Sequence, residues 1–462
     1  MKKKILIFLP DGVGLRNFAF TDFYKKMSLE NDVVFLNNTG FPLKEKLDIE
    51  EIKISNLKTH FLTDLLKSAK ITIELKLNYK KYRDKAYLSY IFPKRNKSLK
   101  QFFKNSLINV FIKYYYSEKG LIKIEKLINK LERSTETYNA SFTLLKKEKP
   151  DFIFCTNQRP IIAFSTILAA KDLKIPTASF IFSWDNLPKA TKVLTTDYYF
   201  VWSKFMKEEL LKYYPEITEK SIKITGTPQF EQHFNKSLLN SKEAFYEENK
   251  LDLNRKYICF SGDDVTTSPY DELYLEDLAV TIENLNKKGN NLGIIYRKCP
   301  VDFTGRENNI LSKYKHIITS INPKWENLGN SWNRVMPLKE DFKLLANTLK
   351  SSILVVNIGS SMVFDAVIHK VPCAYINYNT KNVDTNFWNI FKIYKFIHFK
   401  SMPSKKAVFW VDKKVDFEKI INDVLKNNYS ISETEKWLNR ITFFPQEAAS
   451  ENIINEIKKI IS

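Results

Sequence analysis

The stretch Ile353-Leu-Val-Val-Asn-Ile-Gly-Ser-Ser-Met-Val-Phe-Asp365 reads as a short apolar strand that runs into Gly359-Ser360-Ser361 and then a helix. A β-branched run without polar alternation suits a strand covered on both faces, as in a parallel sheet. In such sheets ligands bind beyond the carboxyl ends of the strands, which is where the glycine-serine turn stands. Free N–H groups at a helix start attract phosphate, and the hydroxyls of Ser360 and Ser361 add donors. Asp365 follows Ser361 by one turn on the same helical face, placed to take a pair of ribose or sugar hydroxyls. The plainer alternative is an N-cap serine with an incidental aspartate.

The same alternation of strand and helix extends outward from this stretch. Towards the C-terminus and back to residue 256, apolar runs at 257–261, 293–297, 316–320, 353–357, 373–378 and 407–411 read as strands. Helical patterns separate several of them, at 272–287, 339–349 and 362–370. An earlier series occupies 4–9, 32–36, 151–155, 177–183, 198–202 and 221–225. Two successive series with right-handed crossovers predict an α/β protein of two Rossmann-like parallel-sheet domains facing across a cleft. The expected bounds are 1–228 for the first domain, 229–255 for a polar linker, and 256–430 for the second. Residues 431–462 are a final helical segment with a break at Pro445. A largely helical insertion fills 58–149, including a helical face at Leu121, Ile124, Leu127, Ile128 and Leu131.

Other strand ends carry polar clusters. In Ile295-Tyr296-Arg297-Lys298-Cys299-Pro300, the two cations can neutralise a leaving diphosphate or simply be solvated. Ile224-Thr225-Gly226-Thr227-Pro228 is a hinge whose backbone touches ligand, or merely a turn. In Phe182-Ser183-Trp184-Asp185-Asn186-Leu187 the carboxylate is a candidate general base for a hydroxyl. Asp11, in Pro10-Asp11-Gly12-Val13-Gly14-Leu15-Arg16-Asn17, is its rival, and either can instead cap a helix. Asp263-Asp264 is a weaker ligand contact. Gly12-Val13-Gly14 has the outline of a dinucleotide fingerprint, but Asn17 holds the third glycine position.

Composition narrows the classes. The chain has 462 residues, 73 Lys and Arg against 52 Asp and Glu, and 44% hydrophobic side chains. That is enough to bury cores without disulfides. Its four cysteines are far apart and form no C-x-x-C, which points to a reducing cytoplasm. Met1-Lys2-Lys3-Lys4 and the five apolar residues after it are too short for a secretory core before Pro10-Asp11. There is no run of eighteen apolar residues to span a membrane. No P-loop, H-E-x-x-H or G-x-S-x-G occurs, and no two aspartates stand as D-x-D to hold a divalent ion. No metal and no cofactor are therefore expected.

The charge is uneven. Residues 58–149 hold 22 Lys and Arg against 8 Asp and Glu, a balance of +14 out of +21 for the chain. Within 76–104, basic residues interleave with Tyr79, Tyr82, Tyr87, Tyr90, Phe92, Phe102 and Phe103. Such a segment suits an anionic membrane surface. It can also be lysine on solvated faces, and no motif supports nucleic acid as the partner.

In this order the clusters resemble bacterial glycosyltransferases of the GT-B architecture, those of surface-polysaccharide synthesis related to the CDP-glycerol glycerophosphotransferases. The resemblance rests on Ser183-Trp184-Asp185-Asn186-Leu187, Val201-Trp202-Ser203, Thr225-Gly226-Thr227-Pro228-Gln229-Phe230, and Gly359-Ser360-Ser361 with Asp365 and Pro372. Arg16-Asn17 also fits. Relatives often carry His-Pro where Cys299-Pro300 stands, so an imidazole is missing there. The resemblance implies a nucleotide-sugar donor, itself a substrate, held by the second domain through Arg297, Lys298, Gly359, Ser360, Ser361 and Asp365, with Gly226 and Thr227 of the turn between the two series also touching it. It implies a glycan or lipid-linked acceptor on the first domain, near Arg16, Asn17, Trp184 and Asn186, activated by Asp185 or Asp11. The final helix would cross back to the first domain, and the enzyme would sit at the inner face of the cytoplasmic membrane. Polyol-phosphate transfer, nucleotide-sugar epimerisation, and a non-catalytic membrane- or nucleic-acid-binding role are the alternatives.

Overall fold

A computed structural model describes residues 2–91, 98–327, 335–381, 383–385 and 387–462. Phe92, Lys94, Arg95 and Lys97 of the basic segment lie outside the described residues. The chain divides into two units. The first comprises Met1–Gln229, Phe396–His398 and Ile441–Ser462; the second comprises Phe230–Lys395 and Phe399–Arg440.

The first unit is built on β1 (Lys4–Leu9), β2 (Asp32–Asn37), β3 (Glu51–Lys53), β4 (Phe152–Cys155), β5 (Thr177–Phe180), β6 (Tyr198–Val201) and β7 (Ile222–Ile224). They form one sheet in the order β3-β2-β1-β4-β5-β6-β7, every pair parallel. The chain fills one side of β1 with β2 and β3, then crosses to β4 and fills the other. β1 and β4 are therefore central, and their apolar residues are fully buried. β3 was not legible in the sequence: Glu-Ile-Lys has one apolar residue, and an edge strand tolerates charge. β5 ends at Phe180, three residues before the expected end, because the chain turns into the loop that carries Asp185.

One face of this sheet is aromatic. Phe18 meets Phe154 edge-on at 5.3 Å, and Phe154 meets Phe200 at 5.1 Å. The other face is covered by the insertion. Leu66, Ile73, Ile124, Ile128 and Leu145 share one core with Leu6, Phe8, Ile153 and Cys155. The helical pattern expected from residue 121 onward divides into Glu118–Glu132 and Glu136–Glu148. The break is made by Thr135, whose hydroxyl accepts from the Tyr138 N–H at 3.1 Å as an N-cap. Glu132 sits wholly buried near the break and ties the parts together: it accepts from His60 N–H at 3.0 Å and from Ser165 Oγ at 2.8 Å.

The second unit contains β8 (Lys256–Ser261), β9 (Leu292–Arg297), β10 (Ile318–Ser320), an antiparallel pair β11 (Trp325–Asn327) and β12 (Val335–Pro337), then β13 (Ser352–Asn357), β14 (Cys373–Ile376) and β15 (Phe409–Val411). The sheet order is β10-β9-β8-β13-β14-β15, again all parallel. β8 and β13 are the central pair. β11 and β12, three residues each, are too short for a strand pattern to show in the sequence. Residues 229–255, read as a linker, contain the helix Lys242–Glu248, capped by Ser241. Its Phe245 and Tyr246 join Tyr257, Ile295 and Leu344 in a core of this unit.

Gly14 explains half of the apparent dinucleotide fingerprint by packing. A Cβ there would stand 2.3 Å from Thr156 Oγ1 and 2.7 Å from Leu9, and Thr156 is fixed by its bond to the Phe8 carbonyl at 3.0 Å. Gly14→Ala should therefore cost about 1–3 kcal/mol of stability through overpacking, measured by denaturant unfolding. A loss under about 0.5 kcal/mol would show that the β1 loop yields freely.

Candidate functional site

Where a parallel sheet is filled first on one side and then on the other, the loops leaving the two central strands diverge and open a crevice. In the first unit these are the loops after β1 and β4, and each brings a polar side chain. Asn157 is oriented by its own Oδ1, which accepts from the Arg159 N–H at 3.1 Å. Its Nδ2 then donates to both oxygens of Asp11, at 3.2 and 3.0 Å. Burial raises the Asp11 carboxyl above its usual range, against the opposing effects of Asn157, the Val13 N–H and Arg159. Asn17, in the short π-helical turn Leu15–Ala19, is buried, and its Oδ1 has no hydrogen-bond partner among the described residues. Arg16 lies half-buried in the same turn.

Beside this crevice runs a chain of amides. Gln158 accepts from the Phe182 N–H at 3.2 Å and donates to Asn186 Oδ1 at 2.8 Å, and Asn186 donates to Asp185 Oδ1 at 3.0 Å. Asp185 also accepts from Ser183 Oγ at 2.7 Å and pairs with Lys189. Burial alone would raise its carboxyl, but Lys189, His398 and the Ser183 hydroxyl together outweigh it and hold Asp185 well below the carboxylate range. Asp185 is thus held ionised by a neighbouring cation, whereas the buried Asp11 keeps its proton to a higher pH than an ordinary carboxylate does. Trp184 and Asn186 are buried. Trp184 meets His398 edge-on at 4.8 Å, and His398 shares a 3.2 Å hydrogen bond with Tyr90. Burial pushes the His398 imidazole down to about 3, so it stays neutral.

The Thr225-Gly226-Thr227 turn also belongs to the first unit. Gly226 has φ +80°, and a Cβ there would lie 3.2 Å from Ala449 of the helix Ala449–Ile461. Thr225 and Thr227 are fully buried, and Asn452 donates to the Thr225 carbonyl at 3.3 Å. Packing under the last helix thus sets the conformation of this turn.

In the second unit the crevice opens between the ends of β8 and β13, and Gly359-Ser360-Ser361 stands on its rim. Gly359 has φ +67°, with Phe399 Cζ 2.9 Å from where a Cβ would be. The Ser360 N–H donates to Asn357 Oδ1 at 3.0 Å, and Ser360 Oγ accepts from the Met362 N–H at 3.3 Å. Ser361 stands at the N-cap of Met362–Ile368 without a side-chain capping bond and is half-exposed.

The charged residues expected here are already paired. Arg297 is buried and gives Nη2 to both oxygens of Asp341, at 3.0 and 2.8 Å. Asp341 also accepts from the Lys324 N–H and Trp325 Nε1, so this ion pair holds the β11 strand in place. Lys298 pairs with the buried Glu307 at 2.5 Å. Asp365, read as a hydroxyl ligand, is buried and bonded to His233 Nε2 at 2.8 Å; His233 Nδ1 in turn meets His369 Nε2 at 2.9 Å. Burial and the neighbouring His233 push His369 down to about 4.

What the sequence left unnoticed is the partner of Asp263. Asp271 Oδ2 accepts from the Asp263 N–H at 3.1 Å, and both carboxyls are raised, by burial first, with Asp271 adding repulsion at Asp263. Arg306 gathers the surrounding loops, donating to the carbonyls of Ser268 and Asp263 and to Asp302. Asn157, Gln158, Asp271, Arg306 and His233 were all missed. Only Asn157-Gln158 carried a usable signal, a polar pair directly after a buried strand. Two depressions of about 270 and 260 Å³, lined by Lys256, Lys350 and Ser352, lie at the opposite, amino ends of β8 and β13. Among the described residues no group of three or more His, Cys, Asp or Glu is arranged to hold a metal ion.

No protein-family model and no curated protein sequence matches the chain. Solved structures match it over its whole length. A Listeria monocytogenes protein assigned as a UDP-N-acetylglucosamine 2-epimerase aligns at 12% identity and TM-score 0.57, over 100% of this chain and 97% of that one. The UDP-GlcNAc 2-epimerase of Neisseria meningitidis, bound to UDP-GlcNAc, aligns at 12% identity and TM-score 0.54, over 99% and 100%. A glycosyltransferase from Rickettsia africae aligns at 15% identity and TM-score 0.50, over 100% and 98%. At these identities the likeness is one of fold. The chain has the GT-B fold of two parallel-sheet α/β units.

Two outcomes follow from the buried charges. His233→Ala should strand the buried Asp365 carboxylate and cost about 1–3 kcal/mol in denaturant unfolding; an unchanged midpoint would mean that Asp365 finds water instead. The raised Asp263 and Asp271 hold protons in the folded state that the unfolded chain releases near pH 4. Stability should therefore fall as pH rises from that value through the folded-state range. Asp271→Asn should flatten the fall in Tm between about pH 4 and about pH 7, and parallel Tm profiles would refute the raised pair.

Proposed function

We propose that the chain is a glycosyltransferase that moves a sugar from a nucleotide-activated donor to a cell-surface polysaccharide or lipid-linked glycan. The observation that carries this reading is the pair of crevices at the strand ends: one holds the buried Asp11 carboxyl against Asn157, and at the other the Gly359 turn presents a half-exposed Ser361 that makes no side-chain capping bond. The GT-B fold, shared with structures that bind UDP-GlcNAc, supports a nucleotide-sugar ligand.

In this reading the Ser361 hydroxyl, at the start of the helix Met362–Ile368, takes the donor diphosphate. Arg297, Lys298 and Asp365 act one step removed, by fixing the loops, since each is held in an ion pair or hydrogen bond. Asp11 accepts the proton of an acceptor hydroxyl, whose oxygen attacks the anomeric carbon as the nucleoside diphosphate leaves. Asp185 keeps its negative charge and positions the Trp184 loop. Asn157 holds Asp11 in place by donating to its ionised form.

Thermal shifts with UDP, GDP, CDP, CMP and ADP test the donor site. A nucleotide at a hundredfold excess over its dissociation constant should stabilise the protein by about 2.7 kcal/mol, and Ser361→Ala should reduce that shift. No shift with any nucleotide would overturn the reading. Asp11→Asn should keep nucleotide binding and lose turnover by roughly 10²–10⁴-fold. The wild-type rate should rise with pH through an apparent pKa above the usual carboxylate range, because only the ionised base accepts the proton. An intact rate in Asp11→Asn would dismiss Asp11 as the base.

A second reading, nucleotide-sugar epimerisation, is favoured by the likeness to the 2-epimerase structures. It separates cleanly: an epimerase converts the nucleotide-sugar with no acceptor present, and a transferase releases the nucleotide only when acceptor is added.

A further inference from the structure

The insertion helix Leu99–Tyr115 has two apolar faces and only one of them is used. Ile108 is buried, and Phe111, Ile112 and Tyr115 pack beside it on the core of the first unit. On the opposite side Leu99, Phe103, Leu107, Val110 and Tyr114 stand open to solvent, at 78%, 68%, 38%, 60% and 77% exposure. Their spacing of four, four, three and four residues at 3.6 residues per turn confines them to an arc of about 80°. Scattered exposed apolar residues need no explanation, but a continuous stripe of five along one helix marks a contact surface. Lys100, Lys104 and Lys113 flank it, with Lys104 paired to Asp64 at 2.7 Å.

We infer that this stripe is the docking face of the protein for an anionic lipid surface, on which the helix lies flat. Helices that lie in a bilayer interface combine an apolar face with flanking Lys and Arg, and bind by buried area together with attraction to anionic headgroups. Both halves of that requirement are present: the stripe supplies the area, and Lys100, Lys104 and Lys113 on the same helix supply cations beside it, within a segment, 58–149, whose sequence balance is +14. The same charge disfavours a second copy of this chain as the occupant, since face-to-face pairing would bring two such surfaces together. Phe102 and Tyr116, also exposed, lie beside the stripe and not on it. None of the residues assigned to nucleotide or proton transfer is involved, so lipid binding and nucleotide binding can fail separately.

The test is co-sedimentation of the full chain with vesicles of equimolar phosphatidylglycerol and phosphatidylcholine, and with phosphatidylcholine alone. The wild type should pellet with the first and only weakly with the second, and about 0.5 M salt should reduce the difference. The triple variant Phe103→Ser, Val110→Ser, Tyr114→Ser should lose roughly tenfold or more in partitioning, while Leu29→Ser, an exposed residue elsewhere in the unit, should bind as the wild type does. All four side chains are exposed, so folding should persist in each, checked by unchanged thermal unfolding. The inference is overturned if the wild type ignores anionic vesicles, or if the triple variant binds them equally well. It is also overturned if the wild type self-associates through the stripe, or if it binds a DNA duplex in preference to vesicles and the triple variant does so equally.

Discussion

All strands within each large sheet run in one direction, and most of the molecule follows from that constraint. A parallel neighbour can be reached only by a crossover over a face of the sheet, so both faces must be covered and the central strands must be apolar throughout. Filling one side of β1 before the other, and likewise of β8, leaves a crevice at the end of each central pair. Asp11 with Asn157, and Asp263 beside Gly359-Ser360-Ser361, stand at those crevices because backbone geometry leaves room for polar side chains there. The insertion serves the same constraint in the first unit, its helices covering the face opposite the phenylalanines.

Electrostatics then sorts the polar residues at the strand ends into two kinds. Those with a strong partner nearby are fixed: Arg297 by Asp341, Lys298 by Glu307, Asp185 by Lys189, Asp365 by His233. They shape loops and are poor candidates for direct chemistry, because a ligand would have to displace a buried charge from its partner. Those whose burial is not offset by an opposite charge have raised carboxyls, Asp11, Asp263 and Asp271. Groups of this second kind keep their protons to a higher pH than an ordinary carboxylate does.

The insertion illustrates how one segment can serve the fold and a surface at once. Its buried faces complete a core, and Glu132 is satisfied by Ser165 and the His60 N–H. The outward stripe on Leu99–Tyr115 contributes nothing to that core. Retaining apolar side chains in water on a strongly basic segment gives no benefit to folding, so its physical rationale lies in what the surface meets.

The sequence by itself determined the fold class, since buried strands are visible as unbroken β-branched runs and crossover helices as 3.6-residue patterns. It also marked the strand ends at Asp11, Asp185, Arg297 and Gly359-Ser360-Ser361, because polar residues after a buried strand stand out locally. It hid β3, β11 and β12, which are too short for a pattern, and it ran two helices together where only the Thr135 cap separates them. Only the tertiary structure decided which of the marked residues are at liberty to act. Asp11 and Asp185 look alike in sequence; one lies against an amide and the other against an ammonium group. Asp263 and Asp271 are eight residues apart in the chain, and His233 and Asp365 are 132 apart. A pKa and a hydrogen bond depend on distances through space, and no local pattern of residues records those.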